Sequence, residues 1–195
     1  ARNARRVLQA GVTGILDADS IFELGIDLRD AIEAGICDGP RIATGSYALW
    51  TSVGGTAGRL IPDSGVMGYG KVVSGTAEIV AEVRRQIKYG ADWIKVHVTG
   101  LVPRHPLRGE VKSWTRDELR LVVDTAHELG IPVQGHCRGA SSVIDCCAAG
   151  MDLVLHGTLM DDKALDALVE TKTPVMPVFA FQANLADYGA AIGAD

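Results

Sequence analysis

Two kinds of apolar segment alternate along this chain, and that alternation is its main organising signal. Short runs at Gly14–Leu16, Arg41–Thr44, Trp93–Val98, Pro132–Gly135, Leu153–Leu155 and Thr173–Phe179 are mostly β-branched, as strands buried on both faces tend to be. Longer segments between them follow helical spacing. Ile79, Val80, Val83 and Ile87 do so over about Thr76–Tyr89, and Leu119, Val122, Val123 and Ala126 over about Thr115–Leu129. The second of these opens on Thr115 with Glu118 three residues on, the pattern of a capping box. It stops at Gly130, with Pro132 just beyond. Asp161 opens a further helix carrying Leu165, Leu168 and Val169, and the chain starts in a helical stretch, Asn3–Ala10. Repeated βα units predict a parallel sheet with right-handed crossovers and helices outside it.

Two long segments break the rhythm. One, about Gly45–Ser74, is rich in glycine, and the other, about Thr99–Trp114, holds Pro103, His105 and Pro106. Both read as loops that follow strands, and in a parallel barrel such loops lie on the catalytic face. Six strands are countable, whereas a closed (β/α)8 barrel has eight strands and usually about 250 residues. The expectation is one incomplete TIM-barrel domain over residues 1–195, with about six βα units and one unit missing at each end. A self-contained six-stranded α/β domain is the alternative. Open strand edges would favour self-association, so a homo-oligomer is also expected.

Composition narrows the function classes. A formal charge of -5 and no basic patch argue against a nucleic-acid partner. No apolar run is long enough to cross a membrane, and the Arg-rich start lacks the apolar core of a secretory signal. Cys37, Cys137, Cys146 and Cys147 form no Cys-x-x-Cys pair, so reduced thiols and a cytoplasmic setting are expected rather than a disulfide framework or a zinc knuckle.

Chemistry concentrates at three predicted strand ends: Lys95 in Gly-Ala-Asp-Trp-Ile-Lys-Val-His, His136 in Ile-Pro-Val-Gln-Gly-His, and His156 in Asp-Leu-Val-Leu-His-Gly-Thr. Parallel strands converge on one mouth, so residues far apart in sequence can meet there. A strand-end histidine can equally be a satisfied structural residue, and a strand-end lysine can be a Schiff-base nucleophile or a phosphate ligand. Arg138 and His97 stand two residues after His136 and Lys95, so strand alternation aims each at the same mouth as its neighbour. Arg138 could clamp a substrate carboxylate or pair with a nearby Asp or helix end. His97 could touch substrate or support Lys95, although a satisfied strand histidine is the simpler account. His127 reads as structural. Cys137 should face away from the mouth and pack as a small apolar group.

These segments resemble the amidohydrolase superfamily, in its imidazolonepropionase-like and prolidase-like branch. Gly11-Val-Thr-Gly-Ile-Leu-Asp17 is similar to the family's second strand and Gly39-Pro-Arg-Ile42 to the entry to its third. Gly90–Lys95 resembles its fourth-strand lysine segment, Ile131–His136 and Leu153–Thr158 its fifth- and sixth-strand histidine segments, and Thr173–Pro177 its seventh strand. The resemblance implies a metal-dependent hydrolase of C–N bonds in amides, cyclic amides or dipeptide-like substrates, acting through a metal-activated water. It implies that Lys95 is carboxylated by carbon dioxide, its carbamate able to hold two divalent ions, with zinc the expected metal and His136 and His156 as neutral imidazole ligands. It places Val53-Gly-Gly-Thr-Ala-Gly58 at a glycine-rich loop where Thr56 replaces the usual His, making Thr56 a substrate-side candidate together with Arg138 and His97. A small-molecule substrate carrying a carboxylate fits this set. A Schiff-base enzyme using unmodified Lys95 and a non-catalytic assembly module are the rival readings. The family's first-strand His-x-His and eighth-strand Asp have no counterpart in these residues. The 195-residue chain by itself should therefore show weak or no turnover, and robust hydrolysis by the purified segment would contradict that.

Overall fold

The computed structural model describes residues 1–54, 65–100 and 111–192. The order of elements is α1 (Arg2–Gln9), β1 (Gly14–Asp17), α2 (Leu24–Glu33), β2 (Arg41–Thr44), β3 (Ala48–Trp50), β4 (Gly65–Met67), β5 (Gly70–Val72) and α3 (Gly75–Lys88). Then come β6 (Ile94–His97), β7 (Thr99–Gly100), β8 (Val111–Lys112), α4 (Arg116–Glu128), β9 (Val133–Gly139) and α5 (Ala140–Ala149). The chain continues through β10 (Leu153–Leu159), α6 (Asp162–Thr171), β11 (Val175–Met176) and α7 (Phe179–Tyr188) to a 3-10 turn at Gly189–Ile192.

Parallel pairs join β1 to β2, β3 to β6, β6 to β9, β9 to β10 and β10 to β11. β2 and β3 are separated by Gly45–Tyr47, and Asp92 ties the end of β2 to the start of β6. The Asp92 N–H donates to the Thr44 carbonyl at 2.8 Å, and its Oδ2 accepts the Thr44 N–H at 2.9 Å. The result is a run of parallel strands in chain order, with helices on the outer face, forming part of a barrel wall.

Period-two alternation explains which face does what. On β6, Ile94 and Val96 point outward into a buried cluster with Ile79 and Val83 of α3 and Leu119, Val122 and Ala126 of α4. Lys95 and His97, between them, point inward. On β9, Val133 and Cys137 join the same outer core, with Val143 and Cys146 of α5. Cys137 Sγ lies 2.9 Å from Cys146 Sγ and both residues are free thiols, as expected for a small apolar packer. Gly135 is required by close approach: a Cβ there would meet Met151 Sδ at 2.7 Å and Cys146 Sγ at 3.1 Å.

The four helices predicted from spacing and caps are present within one or two residues. The Thr115 capping box is complete, with Thr115 accepting from the Glu118 N–H and Glu118 accepting from the Thr115 N–H. Asp161 caps α6 by accepting from the Ala164 N–H at 2.9 Å. Three expectations need correction. Gly45–Ser74 is not one long loop: it holds β3, β4 and β5, and β3 is the strand that bonds β6. The strand expected over Thr173–Phe179 is confined to Val175–Met176, and Phe179 instead starts α7. Pro174 and Pro177 bracket that short strand and deprive it of ladder donors. The segment Thr99–Trp114 likewise opens and closes in an antiparallel pair, β7 with β8.

Two substitutions test this account. Thr115→Ala removes the cap and should cost about 1 kcal/mol. Gly135→Ala forces a methyl into the sulfur contacts behind β9 and should cost roughly 1–3 kcal/mol. Urea unfolding reads both, and a neutral Gly135→Ala would show that the β9–α5 packing is looser than described.

Candidate metal-binding and active site

The inward residues of β6 and β9 meet residues from β1, β10 and β11 around a cavity of about 340 Å³, lined in part by Asp19, Tyr69, Lys95, His97, His136 and His156. Lys95 and His97 arrive by alternation on β6, and His136 by alternation on β9, where it stands opposite His97 in the ladder. Their rings stack with centroids 4.5 Å apart and planes 12° from parallel.

His156 arrives differently. Val154 points outward into the core, while Leu155 lines the cavity. Simple alternation would then send His156 outward. Instead its backbone is left-handed, with φ 78, the next residue Gly157 has φ 60, and the β9–β10 register shifts between His156 and Leu159. This bulge lets two consecutive residues, Leu155 and His156, face the same space. The His156 ring meets His136 edge to face, centroids 4.3 Å apart.

Asp19, two residues past β1, links the inner groups. Its Oδ2 accepts from Lys95 Nζ at 3.3 Å and from His97 Nε2 at 3.2 Å. Burial opposes the charge of Asp19, but the His97 hydrogen bond and the Lys95 cation outweigh it and hold the carboxyl below its ordinary range. Burial also drives Lys95 below the usual lysine range, with Asp19 opposing it only in part. Desolvation pushes His97 down as well. It pushes His136 far down, assisted by the neighbouring imidazoles, Lys95 and Arg138. His156 is brought down to about 4, by burial first and then by Lys95 and Arg138. Neutral imidazoles in contact are the form in which histidine binds metal.

The inner wall is held rigid. The His97 carbonyl accepts from Trp114 Nε1 at 2.8 Å and from Ser113 Oγ at 3.0 Å. Trp50 and Tyr69 pack on the His97 ring at 5.0 and 5.9 Å. Gln134, one layer below His136, donates to the Ala18 carbonyl at 3.2 Å.

Lys95, His136 and His156, the three residues expected to share a centre, thus open on one cavity, and His97 joins them. Arg138 is on the same β9 face. Thr56 and His105 lie outside the described residues. His127 is paired with Asp152 at 2.8 Å, away from the cavity. Sequence reasoning missed Asp19 and Tyr69. Asp19 had a usable signal, since it follows a predicted strand and therefore falls on the loop face. Tyr69 had none, because it sits between two strands read as loop.

Known proteins locate this arrangement. The amidohydrolase family model matches residues 1–183. The chain belongs to the amidohydrolase family. An Aspergillus niger ochratoxinase is 25% identical over 185 residues, covering 87% of this chain and 38% of that protein. A solved Xaa-Pro dipeptidase with bound methionine in its active site is 31% identical, with TM-score 0.82 over 95% of this chain and 47% of that one. A solved prolidase complexed with N-methylphosphonate-L-proline is 27% identical, with TM-score 0.81 over 96% and 47%. The chain therefore spans less than half the length of these proteins, and its run of parallel strands is an incomplete TIM barrel.

The donor chemistry fits a divalent ion: two neutral imidazoles in contact, a third beside them, and a carboxylate. Among the described residues no group of three or more His, Cys, Asp or Glu side chains is placed to hold a metal ion.

The His156 shift has a pH consequence. Its folded value, about 4, is below its unfolded value of about 6.5, so the unfolded chain binds the proton first. The stability it contributes is present above pH 6.5, is lost as pH falls toward 4 and levels off below that. Unfolding of metal-free protein across this window should show the decline, to which the lowered His97 and His136 also contribute, and His156→Gln should make it shallower. An unaltered slope in the variant would assign the decline elsewhere.

Proposed function

We propose that this chain forms part of the active site of a metal-dependent hydrolase of C–N bonds, with Lys95, His136 and His156 as ligands. The observation that carries the reading is their convergence on one cavity, with both imidazoles held neutral, in a chain of the amidohydrolase family. The names of the solved relatives, a prolidase and a Xaa-Pro dipeptidase, point to amide or dipeptide-like substrates.

Each residue has a role that its surroundings support. Burial shifts Lys95 toward the neutral amine, whose lone pair can attack carbon dioxide. The new N–C bond and the loss of one proton leave a carbamate, turning a cation that repels metal into an oxygen ligand. Asp19 keeps its hydrogen bond to His97 when the ammonium charge is gone, so His97 stays oriented. His136 and His156 supply imidazole nitrogen, which suits zinc. A divalent ion bound there would polarise the scissile carbonyl and activate water. The apolar walls from Leu155 and Val178 exclude bulk water from the reacting groups and strengthen local electrostatics.

The lowered lysine also suits a Schiff-base enzyme, and one set of measurements separates the two. In the full-length protein, chelation should reduce amide hydrolysis at least about a hundredfold, and zinc should restore it; His156→Ala and Lys95→Ala should lower both metal content and activity by a similar factor. Full activity in metal-free protein would overturn the proposal. Borohydride trapping of a carbonyl substrate on Lys95 would establish the rival.

A further inference from the structure

Two cysteines meet behind the wall that carries His136. Alternation turns Cys137 of β9 outward, away from the cavity, where it packs against α5. Its Sγ lies 2.9 Å from Cys146 Sγ, in a thiol contact that either sulfur can donate, and both residues are fully buried and free. β9 ends at Gly139 and α5 begins at Ala140, so the sulfurs face each other across a direct strand-to-helix junction. The ladders to β6 and β10 fix the strand side of that junction. Gly135, on the same strand, lacks the Cβ that would otherwise meet Cys146 Sγ and Met151 Sδ, which lets the helix sulfur sit close against β9. Disulfide sulfurs stand about 2.05 Å apart, so forming the bond takes a closure of about 0.9 Å.

The junction also offers a way in for an oxidant. α5 has no side-chain cap, and Ser142 Oγ, in its first turn, is buried with no hydrogen-bond partner. An uncapped and under-bonded first turn is the part of a helix that opens most readily. Burial pushes the Cys146 thiol up, so the closed protein keeps the pair reduced. His136 precedes Cys137 and faces the opposite side of the strand. Its ring stacks on His97 at 4.5 Å and abuts His156 at 4.3 Å. Drawing Cys137 toward α5 therefore moves the His136 imidazole relative to both neighbours.

We propose that Cys137 and Cys146 form a reversible redox site whose disulfide form weakens metal binding at His136. The coupling rests on the metal reading of His136, and the bond itself does not. A peroxide is the oxidant. One thiolate sulfur attacks a peroxide oxygen, the S–O bond forms, the O–O bond breaks, and the departing hydroxide takes up a proton as water. The second sulfur then attacks the sulfenic sulfur, the S–S bond forms, the S–O bond breaks, and a second water leaves. Two electrons pass from the two thiols to the peroxide, and a dithiol reductant reverses the bond by exchange.

The experiment compares the full-length protein, reduced and metal-free, before and after hydrogen peroxide. Trypsin cleaves after Arg138, so Cys137 and Cys146 fall in separate peptides. Mass spectrometry without reduction should show those peptides linked, and Cys147→Ala should still form the link. Zinc affinity, read by competition with a chromophoric chelator, should fall about tenfold or more on oxidation and return with dithiothreitol. Cys146→Ala should bind zinc as tightly as reduced wild type and ignore peroxide. Absence of the link, or a link to Cys147 in its place, overturns the redox pair. A link with unchanged zinc affinity overturns the coupling. Weaker zinc binding by reduced Cys146→Ala overturns it too, by making the thiol itself a ligand. If Cys146→Ala does not fold, wild type before and after dithiothreitol decides. Zinc binding absent from the reduced protein would remove the metal reading of His136, and the linked peptide would still decide the dithiol.

Discussion

The site depends on a single backbone irregularity, the left-handed residue at His156. Parallel strands deliver alternate side chains to the barrel interior, and on β6 and β9 that rule is sufficient. On β10 it would deliver Leu155 and withhold His156. The extra residue between the pairings of His156 and Leu159, together with φ 78 at His156 and φ 60 at Gly157, turns the imidazole inward. A non-glycine residue in that region costs on the order of 1–3 kcal/mol. Such strain persists only where the surroundings over-determine it, here the β9 ladder on one side and β11 on the other. The glycine that follows His156 is part of the same device, because a Cβ there would meet Met160 at 3.1 Å as well as the wrong φ. The inward position of the His156 imidazole is thus obtained from backbone strain rather than from a flexible loop.

Electrostatic constraint then shapes what surrounds that imidazole. Lys95 and three histidines line one cavity of about 340 Å³, where the Asp19 carboxylate bonds both Lys95 and His97 and Asp17 adds a weaker pull on Lys95. A fully protonated set would be untenable at ring separations of 4.3–4.5 Å, so the histidines give up their protons. This is a cost to the apo fold at low pH, and at neutral pH it leaves the imidazoles in the form that binds a cation. Asp145 shows how the same chain treats a carboxylate whose role is structural. Buried on α5, it accepts from both Lys112 and Arg116 and leaves no charge unpaired.

Much of this was legible in the sequence, for identifiable reasons. Lys95 and His136 lie on strands whose apolar neighbours alternate cleanly, so both strand and face could be read. The caps at Thr115 and Asp161 are local and need no tertiary information. His156 was readable as a strand-end residue, but not the bulge that aims it, because a left-handed non-glycine residue leaves no compositional mark. β3 escaped notice because Ala48-Leu-Trp50 is only three residues long and follows Gly45 and Ser46 with no turn signature of its own. The seventh strand was over-read because Thr173–Phe179 is apolar throughout, and the two prolines that limit it to Val175–Met176 were outweighed by that apolarity.

The layers of the barrel divide the labour among these residues. Gln134 occupies the lowest interior layer on β9 and is spent on holding Ala18. His136, one layer up, is at the level where β6, β9 and β10 present nitrogen. Arg138, above it, has its Nε buried without a hydrogen-bond partner, as Gln134 has its Oε1. Period two on the strands thus separates residues that pack the outer core from residues that face the interior.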